Sequence, residues 1–270
     1  MKTNKPLVTI ITVSYNAVDT IESTIQSVVN QRYNNIEYII IDGGSNDGTV
    51  DIIKKYEDHI TYWISEPDGG IYYGRNKGII KSNGDWLCFM NAGDRFASND
   101  VLEHIFDSNV VFDNIDVIFG DVILEYNPFG QVLKRHDDLH GEEQSLSLCH
   151  QASLTRGNVL RKLLYDTTFK IFADINAFHI IWLQGGNFLY IPIAMAVFEG
   201  LEGVSSTKHW LSFKESNRVC NFKWYNSINW WKKAIKILIK IFFDCLLTKK
   251  QVSKLKYKRI LNKYKTSYND

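Results

Sequence analysis

Residues 8–13 form a run rich in β-branched side chains, residues 14–16 break it with polar groups, and Ile21, Ile25, Val28 and Val29 then recur at helical spacing. This pattern predicts a strand followed by a helix. The unit repeats: the apolar run 36–41 ends at Asp42, and Gly-Gly-Ser-Asn-Asp-Gly (43–48) leads into Val50, Ile52, Ile53 and Tyr56. Further strands are predicted over 60–64, 86–90 and 117–126. Helices are predicted over 71–81 and 101–106, the latter behind Ser98-Asn99-Asp100. Strands that read as continuous apolar runs and alternate with helices predict an α/β chain with a mostly parallel sheet covered on both faces.

The polar and glycine-rich residues fall after the strands. In an open α/β sheet that edge binds ligands, so residues 14–16, 42–47, 66–70 and 91–94 are expected to converge on one crevice. Beyond residue 126 the pattern loosens. Residues 127–144 read as a turn and a polar loop, and 150–160 and 172–185 introduce a more irregular half expected to close over the sheet.

Composition changes the picture in one respect. A chain of 270 residues, 45% hydrophobic and 23% charged, holds one large α/β domain with room for an appendage. Its net charge of +1 conceals an asymmetry: residues 206–270 carry 16 Lys and Arg against 3 Asp and Glu, leaving 15 against 27 for the rest. A basic tail follows a mildly acidic body. Cys88, Cys149, Cys220 and Cys245 are scattered without metal-ligand or disulfide-framework spacing, which fits a reduced, intracellular setting. The first residues lack the long apolar segment and small-residue cleavage site of a signal peptide.

Three positions carry candidate chemistry. Asp42 ends a strand before two glycines, where a carboxylate can receive a base N–H or ribose hydroxyls, or simply organise the turn before the next helix. Arg75, early in a predicted helix, can grip a phosphate or carboxylate by its planar fork, or pair on the surface with Glu66 or Asp68. Asp94 follows the strand 86–90 through Asn91-Ala92-Gly93, as a helix cap or as a ligand for Mg²⁺ or Mn²⁺, ions that take few protein carboxylates and complete their shell with phosphate oxygens.

In this order, VTIITVSYNA, IIIDGGSNDGT, EPDGGIYYGRNKGI and GDWLCFMNAGD resemble the inverting family 2 glycosyltransferases of GT-A fold, strongly over residues 6–125 and more faintly to about 206. The resemblance implies that Ser14, Tyr15, Asp42, Gly44, Asp68, Arg75 and Asn91 serve the donor nucleotide, and that Asp94 belongs to the metal-binding acidic motif, with Mn²⁺ or Mg²⁺ as cofactor. Where many relatives have Asp-x-Asp-Asp, this chain has Asn91-Ala92-Gly93-Asp94, a form similar to that of exopolysaccharide, colanic-acid and O-antigen transferases. Asp174 matches the family's general-base position, at the start of a predicted helix whose cap is its other available role. His150 and Gln151 resemble a recurring His-Gln of the subfamily and are candidates for contact with donor or acceptor. Asp121 is a candidate for acceptor hydroxyls, equally explained as a polar strand end.

The implied partners are a UDP- or GDP-sugar donor and a glycan or lipid-linked acceptor. The expected organisation is a donor-binding half (1–125), an acceptor and base half (126–206) and a basic amphipathic helical tail (207–270). In the tail, lysines interrupt every apolar run, so none approaches the roughly 20 residues of a spanning helix. Trp224, Trp230, Trp231, Phe242 and Phe243 among lysines fit an interfacial helix at the cytoplasmic face of a membrane, or a helix packed on the catalytic domain. No nucleic-acid-binding motif accompanies the basic residues. Two other readings stay open: a nucleotidyltransferase making a sugar nucleotide, which normally shows a Gly-rich basic loop after the first strand, and a non-catalytic nucleotide-sugar-binding protein.

Overall fold

In the computed structural model, β1 (Val8–Ser14) is buried along its whole length. It pairs in parallel with β2 (Ile36–Asp42) on one side and with β4 (Trp86–Phe89) on the other, and β3 (Tyr62–Ser65) extends the parallel set beyond β2. The structure describes residues 5–107, 112–136, 147–199, 208–219, 235 and 249–264. Ile10, Ile11, Ile39, Ile40 and Ile41 are fully buried, which is why these strands read as unbroken apolar runs. The sheet order β3-β2-β1-β4 reverses direction at β1, so a crevice opens beyond the carboxyl ends of β1 and β4.

α1 (Ile21–Val29), α2 (Thr49–Lys55), α3 (Ile71–Lys81) and α4 (Val101–Phe106) lie where the periodicity predicts them. Ile21, Thr24, Ile25 and Val28 form the buried stripe of α1. α3 lies unusually close to the sheet. A Cβ at Gly78 would sit 2.5 Å from the Ile11 side chain, so only glycine permits the approach.

The second half differs from its expected irregularity. β5 (Arg95–Phe96), β6 (Val117–Tyr126), β8 (Ser153–Arg156) and β9 (Phe188–Glu199) continue the same sheet in the order β4-β8-β6-β9-β5. Here the pairings β4–β8, β6–β8 and β5–β9 are antiparallel, so the sheet is mixed. Part of the expected polar loop is β7 (Gly130–Lys134), a hairpin partner of β6; residues 137–146 lie outside the described residues. α5 (Gly157–Leu163) follows β8, and α6 (Ala173–Leu183) packs Phe178 and Ile181 against Val117 and Phe119 of β6. That packing fixes the first turn of α6, which carries Asp174.

The chain divides into two compact units, one of Met1–Ile123 with Arg135–Phe198, the other of Leu124–Lys134 with Glu199–Asp270. The first holds every candidate site residue. The second includes β7, α7 (His209–Val219) and α8 (Lys249–Tyr264), where Tyr257 meets Tyr126 and Phe129 at centroid distances of 5.8 and 6.2 Å. The aromatic-rich segment with Trp224, Trp230, Trp231, Phe242 and Phe243 lies outside the described residues. No described helix is long and apolar enough to cross a membrane.

Candidate active site

At the end of β2, Asp42 is fully buried and receives five hydrogen bonds. Ser14 Oγ (2.8 Å) and Ser45 Oγ (2.6 Å) donate to Oδ1, while Gly44 N (3.1 Å), Ser45 N (2.8 Å) and Ser65 Oγ (2.7 Å) donate to Oδ2. Burial alone would raise its pKa, but the donors from Ser45, Ser65 and Ser14 together hold it below the ordinary value. A carboxylate has about four lone-pair sites, so none remains open here. Asp42 therefore ties the ends of β1, β2 and β3 to the loop after it. That loop is laced in turn to residues 16–18: Asn16 N donates to Ser45 Oγ (2.8 Å) and Ala17 N to Thr49 Oγ1 (2.8 Å). Tyr15 is 68% exposed, with its ring 3.4 Å from where a Gly43 Cβ would stand. Asp68 Oδ1 accepts from Gly70 N (2.7 Å), and its Oδ2 would lie 3.1 Å from a Cβ on Gly74.

Arg75 does not form the surface pair that sequence allowed; Glu66 pairs with Lys77 instead (2.8 Å). The Arg75 side chain is 2% exposed, and its guanidinium carbon lies 5.3 Å from the ring centroids of Tyr72 and Phe89 and 5.8 Å from that of Tyr165. Inside this aromatic box, Nη1 meets Asp174 Oδ2 (3.4 Å), and Nη2 meets Asn91 Oδ1 (3.0 Å) and His150 Nε2 (2.6 Å). Its Nε is buried with no hydrogen-bond partner among the described residues.

Asp174 does not cap α6: the N-cap residue is Phe172, with no side-chain cap bond. Its Oδ2 lies 2.6 Å from His150 Nδ1, its Oδ1 accepts from Ile175 N (2.9 Å), and Tyr72 OH lies 3.2 Å from Oδ1 while it donates to the Ile171 carbonyl at 2.5 Å. Burial opposes the charge, but His150 and Arg75 outweigh it and hold the carboxyl well below the usual carboxylate range.

Asp94 is likewise no helix cap, since the strand β5 follows it and pairs with β9 through Arg95 and Val197. The turn before it needs Gly93 at φ +99°, and is pinned to α1 by Thr24, whose hydroxyl accepts from Gly93 N (2.9 Å) and donates to the Asp94 carbonyl (2.7 Å). Asp94 Oδ2 accepts from Asn91 Nδ2 (3.0 Å) and Gln151 Nε2 (3.2 Å). Burial raises its pKa to about 6 against the pull of these donors and of Arg75.

Among the described residues no three His, Cys, Asp or Glu side chains group as a ready-made metal site. The residues fit a cation of another kind. Both side-chain donors to Asp94, from Asn91 and Gln151, go to Oδ2, and one hard carboxylate oxygen is what Mg²⁺ needs from protein when phosphate oxygens and water supply the rest.

The structure thus brings Arg75, Asn91, Asp94, His150, Gln151 and Asp174 into one cluster, beside the laced loops that carry Ser14, Tyr15, Asp42, Gly44 and Asp68. Asp121 joins none of these contacts; its Oδ1 accepts from His136 N (2.9 Å) and Tyr190 OH (2.9 Å). Thr24, Tyr72, Phe89 and Tyr165 are site components that sequence reasoning passed over. For Thr24 a signal existed, a hydroxyl within the apolar stripe of a helix. A cavity of about 670 Å³ lies elsewhere, lined by Asp85, Asp116, Arg156, Arg161 and Asn187 at the opposite strand ends. Its arginines bond backbone carbonyls of Ile115 and Gly84, so it is not the site of this chemistry.

The chain is similar to known glycosyltransferases. The chain is 46% identical over 101 residues to an uncharacterized glycosyltransferase of Mycobacterium tuberculosis, a match covering 37% of this chain and 38% of that protein. It is 40% identical over 97 residues to TuaG of Bacillus subtilis, a putative teichuronic acid biosynthesis glycosyltransferase, covering 34% and 38%. Each of these matches spans less than two fifths of the relative's own length. A PGL/p-HBAD biosynthesis glycosyltransferase of Mycobacterium bovis is 25% identical over 210 residues, covering 75% and 80%. In fold, TarS of S. aureus in complex with UDP-GlcNAc superposes with a TM-score of 0.64 at 17% identity, over 79% of this chain and 64% of that one. The mannosyltransferase PcManGT of Pyrobaculum calidifontis, in complex with GDP-Man and Mn²⁺, gives 0.60 at 16%, over 80% and 65%. The fold is therefore of the GT-A type. The model of the family "Glycosyl transferase family 2" matches residues 9–163, more than half of the chain, and the protein belongs to that family of glycosyltransferases.

Proposed function

We propose that this glycosyltransferase moves a sugar from a UDP- or GDP-sugar to a glycan acceptor, lipid-linked, in the building of a cell-surface polysaccharide, with inversion by single displacement. One observation carries the reading: Asp94 and Asp174, the two carboxylates of the cluster, belong to one hydrogen-bonded unit beyond the ends of β1 and β4, with different surroundings. The names of TuaG and the PGL transferase support a cell-surface product, and the complexes of TarS and PcManGT support a nucleotide-sugar donor.

In the proposed reaction the acceptor oxygen bonds to the anomeric carbon, the bond from that carbon to the diphosphate breaks, and the electron pair leaves on the phosphate oxygen. The acceptor proton passes to Asp174, the general base. Tyr15 and the loop held by Asp42 receive the nucleotide; Asp42, with no open lone pair, acts by shaping that loop. Arg75, enclosed by the protein, positions Asp174, Asn91 and His150. Asp94 would hold Mn²⁺ or Mg²⁺, which when bound offsets the charge of the leaving diphosphate.

The test is a panel of nucleotide sugars screened for thermal stabilisation with and without Mn²⁺, since a ligand of the native state raises apparent stability. UDP- or GDP-sugars are expected to stabilise the chain more with Mn²⁺ than without. The cation's contribution should fade as pH falls through about 6, where Asp94 takes a proton, and should vanish in Asp94→Asn. Stabilisation indifferent to the cation at every pH would remove Asp94 from the metal. Stabilisation by a sugar nucleotide that is never hydrolysed would favour a non-catalytic binding protein.

A peripheral position at the cytoplasmic face of a membrane is part of the same proposal. α8 carries seven Lys and Arg and no acid, and Lys250, Lys254 and Lys258 lie exposed at helical spacing. Each lysine near an anionic surface contributes about 1 kcal/mol. Replacing these three by Gln is expected to lower binding to phosphatidylserine vesicles roughly 100-fold. Equal sedimentation of the substituted and natural proteins would exclude this stripe as the contact.

A further inference from the structure

The hydrogen-bond polarity of the cluster is set by one group. A guanidinium offers only N–H groups, so every polar atom that Arg75 touches must accept. Asn91 therefore turns its carbonyl oxygen to Arg75 (3.0 Å), which leaves its NH₂ facing Asp94 Oδ2 (3.0 Å) and His150 Nε2 (3.0 Å). His150 Nε2, 2.6 Å from Arg75 Nη2, must likewise be the bare nitrogen of the ring. The ring proton then sits on Nδ1 and is given to Asp174 Oδ2 at 2.6 Å. Burial, reinforced by the Arg75 charge, holds the His150 pKa below its ordinary value against the pull of Asp174, in keeping with a neutral ring. The charged and titratable groups facing this ring are Arg75 from α3 and Asp174 from α6, with neutral Asn91 between it and Asp94.

From this geometry we infer that His150 and Asn91 are positioning residues of the transfer reaction: Asn91 joins Asp94 to His150, and His150, held as the Nδ1–H tautomer, orients the Asp174 carboxylate. The inference rests on the proposed roles of Asp174 as base and Asp94 as the phosphate-side ligand. It gives a chemical reason for the asparagine at the start of Asn91-Ala92-Gly93-Asp94. Position 91 must accept on one side and donate twice on the other, and of the two isosteres only the amide does both. An aspartate there would set its oxygen against two acceptors, Asp94 Oδ2 and His150 Nε2. The motif is thus a connector as well as a fragment of a metal site. A further consequence concerns the proton. Asp174 Oδ2 is occupied by His150 and Arg75, whereas Oδ1 has the 3.2 Å contact with Tyr72 OH and the bond from Ile175 N. Tyr72 OH has one proton and gives it to the Ile171 carbonyl at 2.5 Å, so Oδ1 has one donor, Ile175 N, where Oδ2 has two; Oδ1 is therefore the oxygen that receives the acceptor's proton, while the His150 proton stays on Nδ1 throughout.

The experiment is long-range ¹H–¹⁵N NMR of the full chain labelled at histidine, without donor, with His150 assigned through its backbone. The natural protein at neutral pH is expected to show Nε2 bare and Nδ1 protonated. An Nε2–H tautomer or an imidazolium would overturn the inference without any variant being made. In Asn91→Asp the bare Nε2 signal is expected to disappear as the ring takes up a second proton. Hydrolysis of UDP-GlcNAc or GDP-mannose at saturating Mn²⁺ should fall at least tenfold, while UDP or GDP still binds. Asn91→Ala, which adds no charge, should lower turnover likewise with binding kept. Turnover at the natural rate in both variants would remove Asn91 from the reaction. The two readings fail separately. An Asp174→Asn protein as active as the natural one would overturn the base assignment and leave the tautomer intact, whereas the wrong tautomer beside an inactive Asp174→Asn would overturn this inference alone.

Discussion

Asp174→Asn is expected to lower turnover by about 10²–10⁴-fold, the usual contribution of general-base assistance, while nucleotide affinity is kept. The amide is nearly the same shape but cannot take the acceptor's proton. It also meets the N–H of His150 and the N–H groups of Arg75 with a single oxygen, so some stability is lost as well. Turnover must therefore be referred to the folded fraction, counted by titration with UDP or GDP. If affinity for the nucleotide drops while the bound donor still reacts at the natural rate, Asp174 is a structural acid and the base lies elsewhere.

Arg75→Met is expected to cost about 3–5 kcal/mol of stability, the range for removing one partner of a buried ion pair and stranding the other. Methionine fills much of the aromatic box made by Tyr72, Phe89 and Tyr165, so the loss reports the charge rather than a cavity. The pH dependence gives the sign. In the natural protein the His150 pKa is held below its unfolded value, by burial and by Arg75, so the folded state resists protonation and this contribution to stability falls away below about pH 6.5. Without Arg75, Nε2 is open and an imidazolium can pair with Asp174. The folded pKa of His150 then rises above its unfolded value, and that contribution is present below about pH 6.5 and lost as pH rises through the folded value. The deficit of the variant should accordingly be largest at mildly alkaline pH and shrink toward pH 6. Chemical denaturation across that range reads it directly, and a deficit that is constant or grows on acidification contradicts the neutral, Arg75-facing histidine.

Much of the site is legible in the amino-acid sequence, for reasons that differ between residues. Asp42 and Asp94 stand at the ends of apolar runs, and the strand periodicity alone puts both at the carboxyl edge of the sheet. What each carboxylate does there is not legible. Whether Asp42 faces a nucleotide or is consumed by Ser14, Ser45 and Ser65 depends on strands brought side by side from residues 14, 42 and 65. Arg75 shows the same limit more sharply. Local sequence offered Glu66 and Asp68 as partners, and the fold gave it Asn91, His150 and Asp174, the last 99 residues away.

The antiparallel half was the least readable. Strands β8 and β5 span only four and two residues, too short for a period to register, and they exist because β4, β6 and β9 offer unpaired edges. By itself the sequence determined the parallel half, the order of its helices, the edge that carries the candidate residues and the basic character of the tail. These follow from local periodicity and composition, which act over a few turns of chain. Only the tertiary structure decided which oxygen of Asp174 is held, which nitrogen of His150 is bare, and why residue 91 is an amide. Those depend on donors and acceptors meeting across distances in sequence that no local pattern encodes, in a buried place where each must find its complement.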